Sequence, residues 1–123
     1  MGRDATGDAD QAAKGMRRGT VIWVNLEDAR PPELGKTRPA VIVSNTGSNS
    51  ALATVVVVPL SSRAPAIWPF RVAVPAIGKL KRSFAITPGI RQVANGRLLR
   101  TEGVVPQLVM DELTAAIEAY LRD

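Results

Sequence analysis

Three short runs of β-branched and aromatic residues follow one another within the first 60 positions: TVIWVNL at 20–26, RPAVIVSN at 38–45 and ATVVVVPL at 53–60. They leave few folds open, because branching at Cβ costs rotamer freedom in a helix and packs well on a pleated surface. In the first run Ile22, Val24 and Leu26 fall on one face and Val21 and Trp23 on the other, which predicts a strand buried on both faces or nearly so. Residues 27–38 carry two prolines, a glycine and a dense set of charges, so they read as a long solvent-facing loop. Residues 46–50 are turn formers. Pro59 has no amide to give a ladder and predicts a strand end or edge, releasing Leu60, Ser61 and Ser62 from regular pairing.

The second half is choppier. Short strands are expected at 70–74 and 83–87, flanking the basic turn GKLKR, and at 90–94 after the Pro88-Gly89 break. Pro106 suits a first helical position, Asp111 and Glu112 sit early, and Leu113, Ala116, Ile117, Tyr120 and Leu121 recur at helical spacing. The expected architecture is mainly β: five or six short, mostly antiparallel strands and one C-terminal helix. With 123 residues and 46% apolar content the chain is long enough for one core. Residues 1–15, poor in large apolar side chains, read as a tail or an upstream start before Met16, which leaves 16–123 as a single domain.

Composition narrows the chemistry. There is no cysteine and no histidine, so a disulfide framework, a thiolate metal site and an imidazole base are all excluded, and neither a metal nor a cofactor is expected. Catalysis would have to run on carboxylates, hydroxyls, Lys or Arg. The longest mostly apolar run, 51–60, is half a membrane span, and no apolar leader precedes it, so a cytoplasmic protein with no membrane partner is expected. The net charge is +5, yet its distribution says more: from Leu34 to Thr101 there is no acid, against Lys36, Arg38, Arg63, Arg71, Lys79, Lys81, Arg82, Arg91, Arg97 and Arg100. Such a stretch suits a phosphate-backbone binder and equally suits an ordinary solvated basic surface.

Several residues are candidates for a site. Glu33, Lys36, Thr37 and Arg38 bring a carboxylate and a guanidinium to the rim of the second strand. Ser61, Ser62 and Arg63 end the third. Trp68-Pro69-Phe70 could stack on bases or sit in the core. Lys79, Lys81, Arg82 and Arg91 could contact phosphate or simply face water. Taken singly, each has an ordinary structural explanation.

In order, however, these segments resemble one family. Arg18-Gly19-Thr20-Val21 with Trp23-Val24 is similar to an RG-x-V-x-W/Y-V opening, Glu33 through Pro39 to an E-x-x-x-x-RP element, and Ala40 to Asn45 to an AVVVSN strand. Val58-Pro59-Leu60-Ser61-Ser62 resembles a P-[IL]-T-[TS] strand end, Trp68-Pro69-Phe70 a Y/W-P-F segment, and Leu80 to Ser83 an L-x-x-S. Ile90-Arg91 with Arg97-Leu98 resembles a Q-I-R…RL region. The family is the MazF/PemK-type toxins, and the likeness runs from about Arg18 to the C-terminal helix. It implies a compact SH3-like small barrel of five to seven strands with a C-terminal helix. It further implies a homodimer, metal-independent cleavage of single-stranded RNA, neutralisation by a cognate antitoxin, and DNA binding as the toxin–antitoxin complex. Carried over residue by residue, the catalytic set is Arg38, Ser61 and Glu33, with RNA contacts expected from Lys36, Thr37, Ser62, Arg63, Trp68, Lys79, Lys81, Arg82 and Arg91.

Three positions depart from the pattern. Ser61 stands where the family has Thr, keeping the hydroxyl and losing a methyl group. Gly89 stands in place of a Gln and Pro88 where some members have an acid, removing side chains that would contact RNA or a partner. The expected reaction is attack of the 2′-hydroxyl on its neighbouring phosphorus, with Arg38 and Ser61 holding the developing charge and Glu33 or Arg38 taking the proton; a guanidinium is poorly suited to that last task. Two rival readings stand beside it: a CcdB-type gyrase-binding toxin, disfavoured because the chain ends Tyr120-Leu121-Arg122-Asp123 where those toxins resemble one another in Trp-Gly-Ile, and a barrel that binds nucleic acid without cutting it.

Overall fold

The computed structural model describes residues 16–63 and 69–123. Seven strands run in the order β1 Thr20–Asn25, β2 Thr37–Ile42, β3 Thr54–Ser61, β4 Arg71–Val74, β5 Ser83–Ile86, β6 Arg91–Ala94 and β7 Leu98–Val104, followed by a helix at Gln107–Leu121. The sheet order is β4-β5-β3-β2-β1-β7, with β6 also paired to β3, and every pairing is antiparallel.

The first three strands form the centre because their side chains have apolar neighbours on both faces. Val21, Val41, Val58 and Leu60 point to one cluster, which Val72, Val74 and Ala85 from β4 and β5 and Met110, Leu113 and Ala116 from the helix complete. Ile22, Val24, Ala40, Ile42, Val55 and Val57 point to the other, closed by Leu26 and Val93. The two-faced burial expected for the first strand is therefore present, and the same division runs through its neighbours. On the helix Met110, Leu113 and Ala116 are buried, whereas Tyr120 and Leu121 are exposed; Tyr120 instead sets its ring edge-on to Phe70 at 5.3 Å. Pro106 caps this helix one position before its first turn.

Three expectations need correction. Residues 46–50 are not a turn but lie within a short helix, Thr46–Ala51, whose first turn is capped by the Asn45 side chain accepting from Ser48 N. Asn49 within it is fully buried and knits the segment together, donating to the carbonyls of Met16 and Ser44. Pro59 does not end its strand. On one side β3 pairs β2 at residues 57–59, and on the other it pairs β6 at 54–57 and β5 at 60–61. Val58 and Pro59 thus fall where one neighbour has stopped and the next has not begun, a place where a missing amide leaves no ladder broken. Finally, β7 had no counterpart among the expected strands. None of its residues is buried, and it is held as an edge strand by β1.

Candidate functional site

The β2–β3 ladder runs from Ile42 opposite Val57 to Ala40 opposite Pro59, so Arg38 and Ser61 follow just past the last pair, one on each strand. The Arg38 Nη1 donates to the Leu60 carbonyl at 3.4 Å, and its Nε donates to the Gly35 carbonyl at 2.8 Å. These bonds fix the guanidinium on one side, while Nη2 has no protein acceptor among the described residues. Ser61 Oγ accepts from Arg63 N at 3.2 Å, which leaves its own O–H free to donate. Both side chains line a groove of about 500 Å³ that also contains Lys36, Pro39, Leu60, Ser62, Arg63, Leu80, Lys81, Arg82 and Ser83. Among the described residues its wall holds five cations and no carboxylate.

The long loop between β1 and β2 is built of tight turns. Leu26 N donates to Lys36 O at 2.8 Å and closes its base, with Lys36 in the left-handed region at φ 65°. Glu33 N donates to Arg30 O, and the Glu33 carboxylate accepts from Arg30 N at 2.7 Å. Near the start of the loop Asp28 meets both terminal nitrogens of Arg91 at 3.3 Å and Nη1 of Arg97 at 3.0 Å. The hydrogen bonds from Arg91, aided by the charges of Arg91 and Arg97, hold the Asp28 carboxyl below the usual carboxylate range.

The groove thus gathers Arg38, Ser61, Lys36, Ser62, Arg63, Lys81 and Arg82 from the expected set. Glu33 does not line it. It lines a neighbouring hollow of about 350 Å³ that shares Lys36 and Arg38 with the groove and also includes Glu27. Thr37 lies on β2 opposite Asn25, Lys79 lies beside Glu102, and Arg91 is engaged by Asp28, all outside the groove lining. Trp68 lies outside the described residues. Ser83, which adds a hydroxyl to the groove wall, was missed as a site residue; its position directly after Lys81 and Arg82 was the available signal. At Gly89 a Cβ would come within 2.6 Å of Pro59 Cγ and 3.3 Å of Leu34 Cδ1, so close packing against β3 and the loop is what excludes a larger residue there.

Residues 17–121 match the model of the PemK-like, MazF-like toxins of type II toxin-antitoxin systems. The chain belongs to that family. It is similar to the endoribonuclease MazF9 of Mycobacterium tuberculosis (strain ATCC 25618 / H37Rv), at 34% identity over 113 residues, covering 86% of this chain and 96% of that protein. Among solved structures, MazF from Deinococcus radiodurans superposes with a TM-score of 0.76 at 24% identity, covering 85% of this chain and 94% of that one. An endoribonuclease in complex with its cognate antitoxin, from a mycobacterial species, superposes with a TM-score of 0.71 at 26% identity, covering 85% of this chain and 93% of that one. The seven-stranded antiparallel sheet with its C-terminal helix is the fold these toxins share. Among the described residues no helix is long and apolar enough to cross a membrane.

Proposed function

We propose that this toxin is an endoribonuclease that cuts single-stranded RNA in the groove beneath Arg38 and Ser61. The observation that carries the reading is the pairing of a half-fixed guanidinium and a free hydroxyl donor on the wall of an acid-free groove with five cations. Such a wall attracts a phosphate backbone, and two preorganised donors suit the charge that builds on a phosphorane. A relative named as an endoribonuclease at 34% identity supports the same activity.

In the proposed reaction the 2′-hydroxyl loses its proton to Glu33, whose hollow adjoins the groove through Arg38, and its oxygen attacks the adjacent phosphorus. The bond from phosphorus to the 5′-oxygen breaks, and that oxygen takes a proton from solvent. The products are a 2′,3′-cyclic phosphate and a 5′-hydroxyl end. Arg38 stabilises the phosphorane through Nη2, Ser61 adds its O–H, and Lys36, Arg63, Lys81 and Arg82 hold the flanking strand. In this reading the protein acts as a cytoplasmic homodimer. It is neutralised by a cognate antitoxin, and for that last point the solved endoribonuclease–antitoxin complex among its structural neighbours is the support.

Incubation of the protein with a long RNA in EDTA tests this directly. Discrete fragments with 5′-hydroxyl ends are expected, and Arg38→Ala should abolish them. RNA retarded on a gel but intact would replace the enzyme by a binding module, and RNA neither cut nor bound would favour a protein target.

A further inference from the structure

Glu102 is the first acid after the long basic stretch, and it stands at an irregularity of the sheet. In the β1–β7 ladder Val21 pairs Gly103 and Ile22 pairs Thr101, so Glu102 is an extra residue with no partner on β1. A bulge of this kind re-aims the side chain it carries. Only 8% of the Glu102 side chain is exposed, and a carboxylate so covered is costly unless its oxygens are satisfied. They are: Oε2 accepts from Trp23 Nε1 at 2.8 Å, Oε1 accepts from Lys79 N at 3.2 Å, and Arg100 Nε lies 3.8 Å from Oε2. The Arg100 guanidinium in turn stacks on the Trp23 ring at 4.8 Å.

The turn between β4 and β5 is moulded onto this bulge. Gly78, at φ +56°, lies so near that a Cβ would come 2.5 Å from the Glu102 carbonyl oxygen and 2.8 Å from its Oε1. Gly103, at φ +152°, lies where a Cβ would come 2.7 Å from Ile77 Cγ2. Ile77 and Leu80 close the turn by exchanging backbone hydrogen bonds of 3.1 and 2.9 Å. Leu80 and the next three residues, Lys81, Arg82 and Ser83, form one wall of the groove. A carboxylate outside the groove therefore grips the root of the segment that supplies two of its cations.

We propose that Glu102 is a positioning residue: by holding Lys79 N and Trp23 Nε1 it locks the Gly78–Leu80 turn to β7, so that Lys81 and Arg82 face Arg38 and Ser61 across the groove. The catalytic consequence rests on the ribonuclease reading above, whereas the mechanical one does not.

Two measurements on Glu102→Gln and, as a gentler second variant, Trp23→Phe separate these. Glutamine keeps the size but offers one acceptor oxygen to two donors, and phenylalanine keeps the ring under Arg100 while removing its donor. Amide hydrogen exchange at Leu80 should quicken about fivefold to tenfold in either variant, the value expected for one lost hydrogen bond. Exchange at the wild-type rate in a folded variant overturns the lock whether or not the protein cuts RNA. In RNA cleavage, Glu102→Gln should raise KM by roughly the same factor with little change in kcat. It should also shrink the penalty of Lys81→Ala and Arg82→Ala, as expected of coupled residues. Strictly additive penalties, or a lowered melting temperature with unchanged KM, would show that Glu102 serves the fold alone. A wild-type protein that leaves RNA intact, together with faster Leu80 exchange in the variants, would overturn the ribonuclease reading and keep the lock.

Discussion

The groove cations should register as a salt slope that is about half of what the basic stretch could supply. Between Leu34 and Thr101 the chain has ten cations, but the fold sorts them: Arg91 and Arg97 meet Asp28, Arg100 meets Glu102, and Lys36, Arg38, Arg63, Lys81 and Arg82 line a groove with no carboxylate. Each phosphate neutralised on a single strand contributes about −0.7 to the slope of log affinity against log salt, so five groove contacts predict a slope of about −3.5 per site. Raising salt from about 50 to about 200 mM should then weaken binding on the order of a hundredfold, whereas engagement of all ten cations would double the slope and cost on the order of ten thousandfold. Fluorescence anisotropy with a labelled 2′-O-methyl RNA is the suitable assay, because a strand without a free 2′-hydroxyl stays intact whatever the cleavage motif. Lys81→Ala or Arg82→Ala should flatten the slope by about 0.7 each, and Arg97→Ala should leave it alone. A slope near −7, or one unmoved by Lys81→Ala, would refute the assignment of phosphate contacts to this groove.

Arg38→Lys keeps the charge but cannot hold Gly35 O and reach a phosphate with a planar fork; single-turnover cleavage should fall on the order of a hundredfold, and wild-type rates would sink the role given to its shape. Ser61→Ala should slow cleavage by about 10² as one donor is lost, and Ser61→Thr should restore it. Glu33→Gln should lower the rate at saturating RNA while leaving KM close to wild type, and the opposite pattern would make it a binding residue. Gly89→Ala should cost roughly 1–3 kcal/mol in urea unfolding, since its Cβ would press on Pro59 at 2.6 Å. The carboxyls of Asp28 and Glu102 are both held below their ordinary values of 3.8 and 4.5, Asp28 by Arg91 and Glu102 by the Trp23 indole N–H. A depressed folded pKa means stability that is present above those ordinary values and is lost as pH falls through the lower folded ones. Carbon-13 titration of both carboxyls should therefore show midpoints below those ordinary values, and midpoints at or above them would contradict the Asp28–Arg91 and Glu102–Trp23 contacts.

What could be read in advance depended on how local the cause is. The three central strands were visible because burial on both faces demands apolar residues at consecutive positions, and Val55 to Val58 meet that demand whatever their partners. β7 was invisible for the converse reason. Leu98 to Val104 contains no buried residue and owes its extended form to β1, a neighbour over seventy positions away in sequence. The short helix at Thr46–Ala51 shares its Gly, Ser and Asn content with turns, and only the Asn45 cap and the buried Asn49 decide between the two. Arg38 and Ser61 were named together only through the family resemblance; in the fold they lie on adjacent strands just past their last paired residues, and both line one groove.

The acids teach the more general point. Read along the chain, the absence of Asp and Glu from 34 to 101 suggests a uniformly positive surface, yet the acids just outside that stretch fold back onto it. Asp28 ties the loop that ends at Arg38 to β6 and the turn after it, and Glu102 ties the turn that ends at Arg82 to β7. Each therefore neutralises cations away from the groove and, by the same bonds, anchors a segment that feeds cations into it. Removing either carboxylate would add net positive charge and still be expected to weaken RNA binding, because the charge gained would lie outside the groove and the order lost would lie within it. A protein that bound RNA through net charge alone would respond in the opposite direction, and that difference in sign is open to measurement in Asp28→Asn and Glu102→Gln.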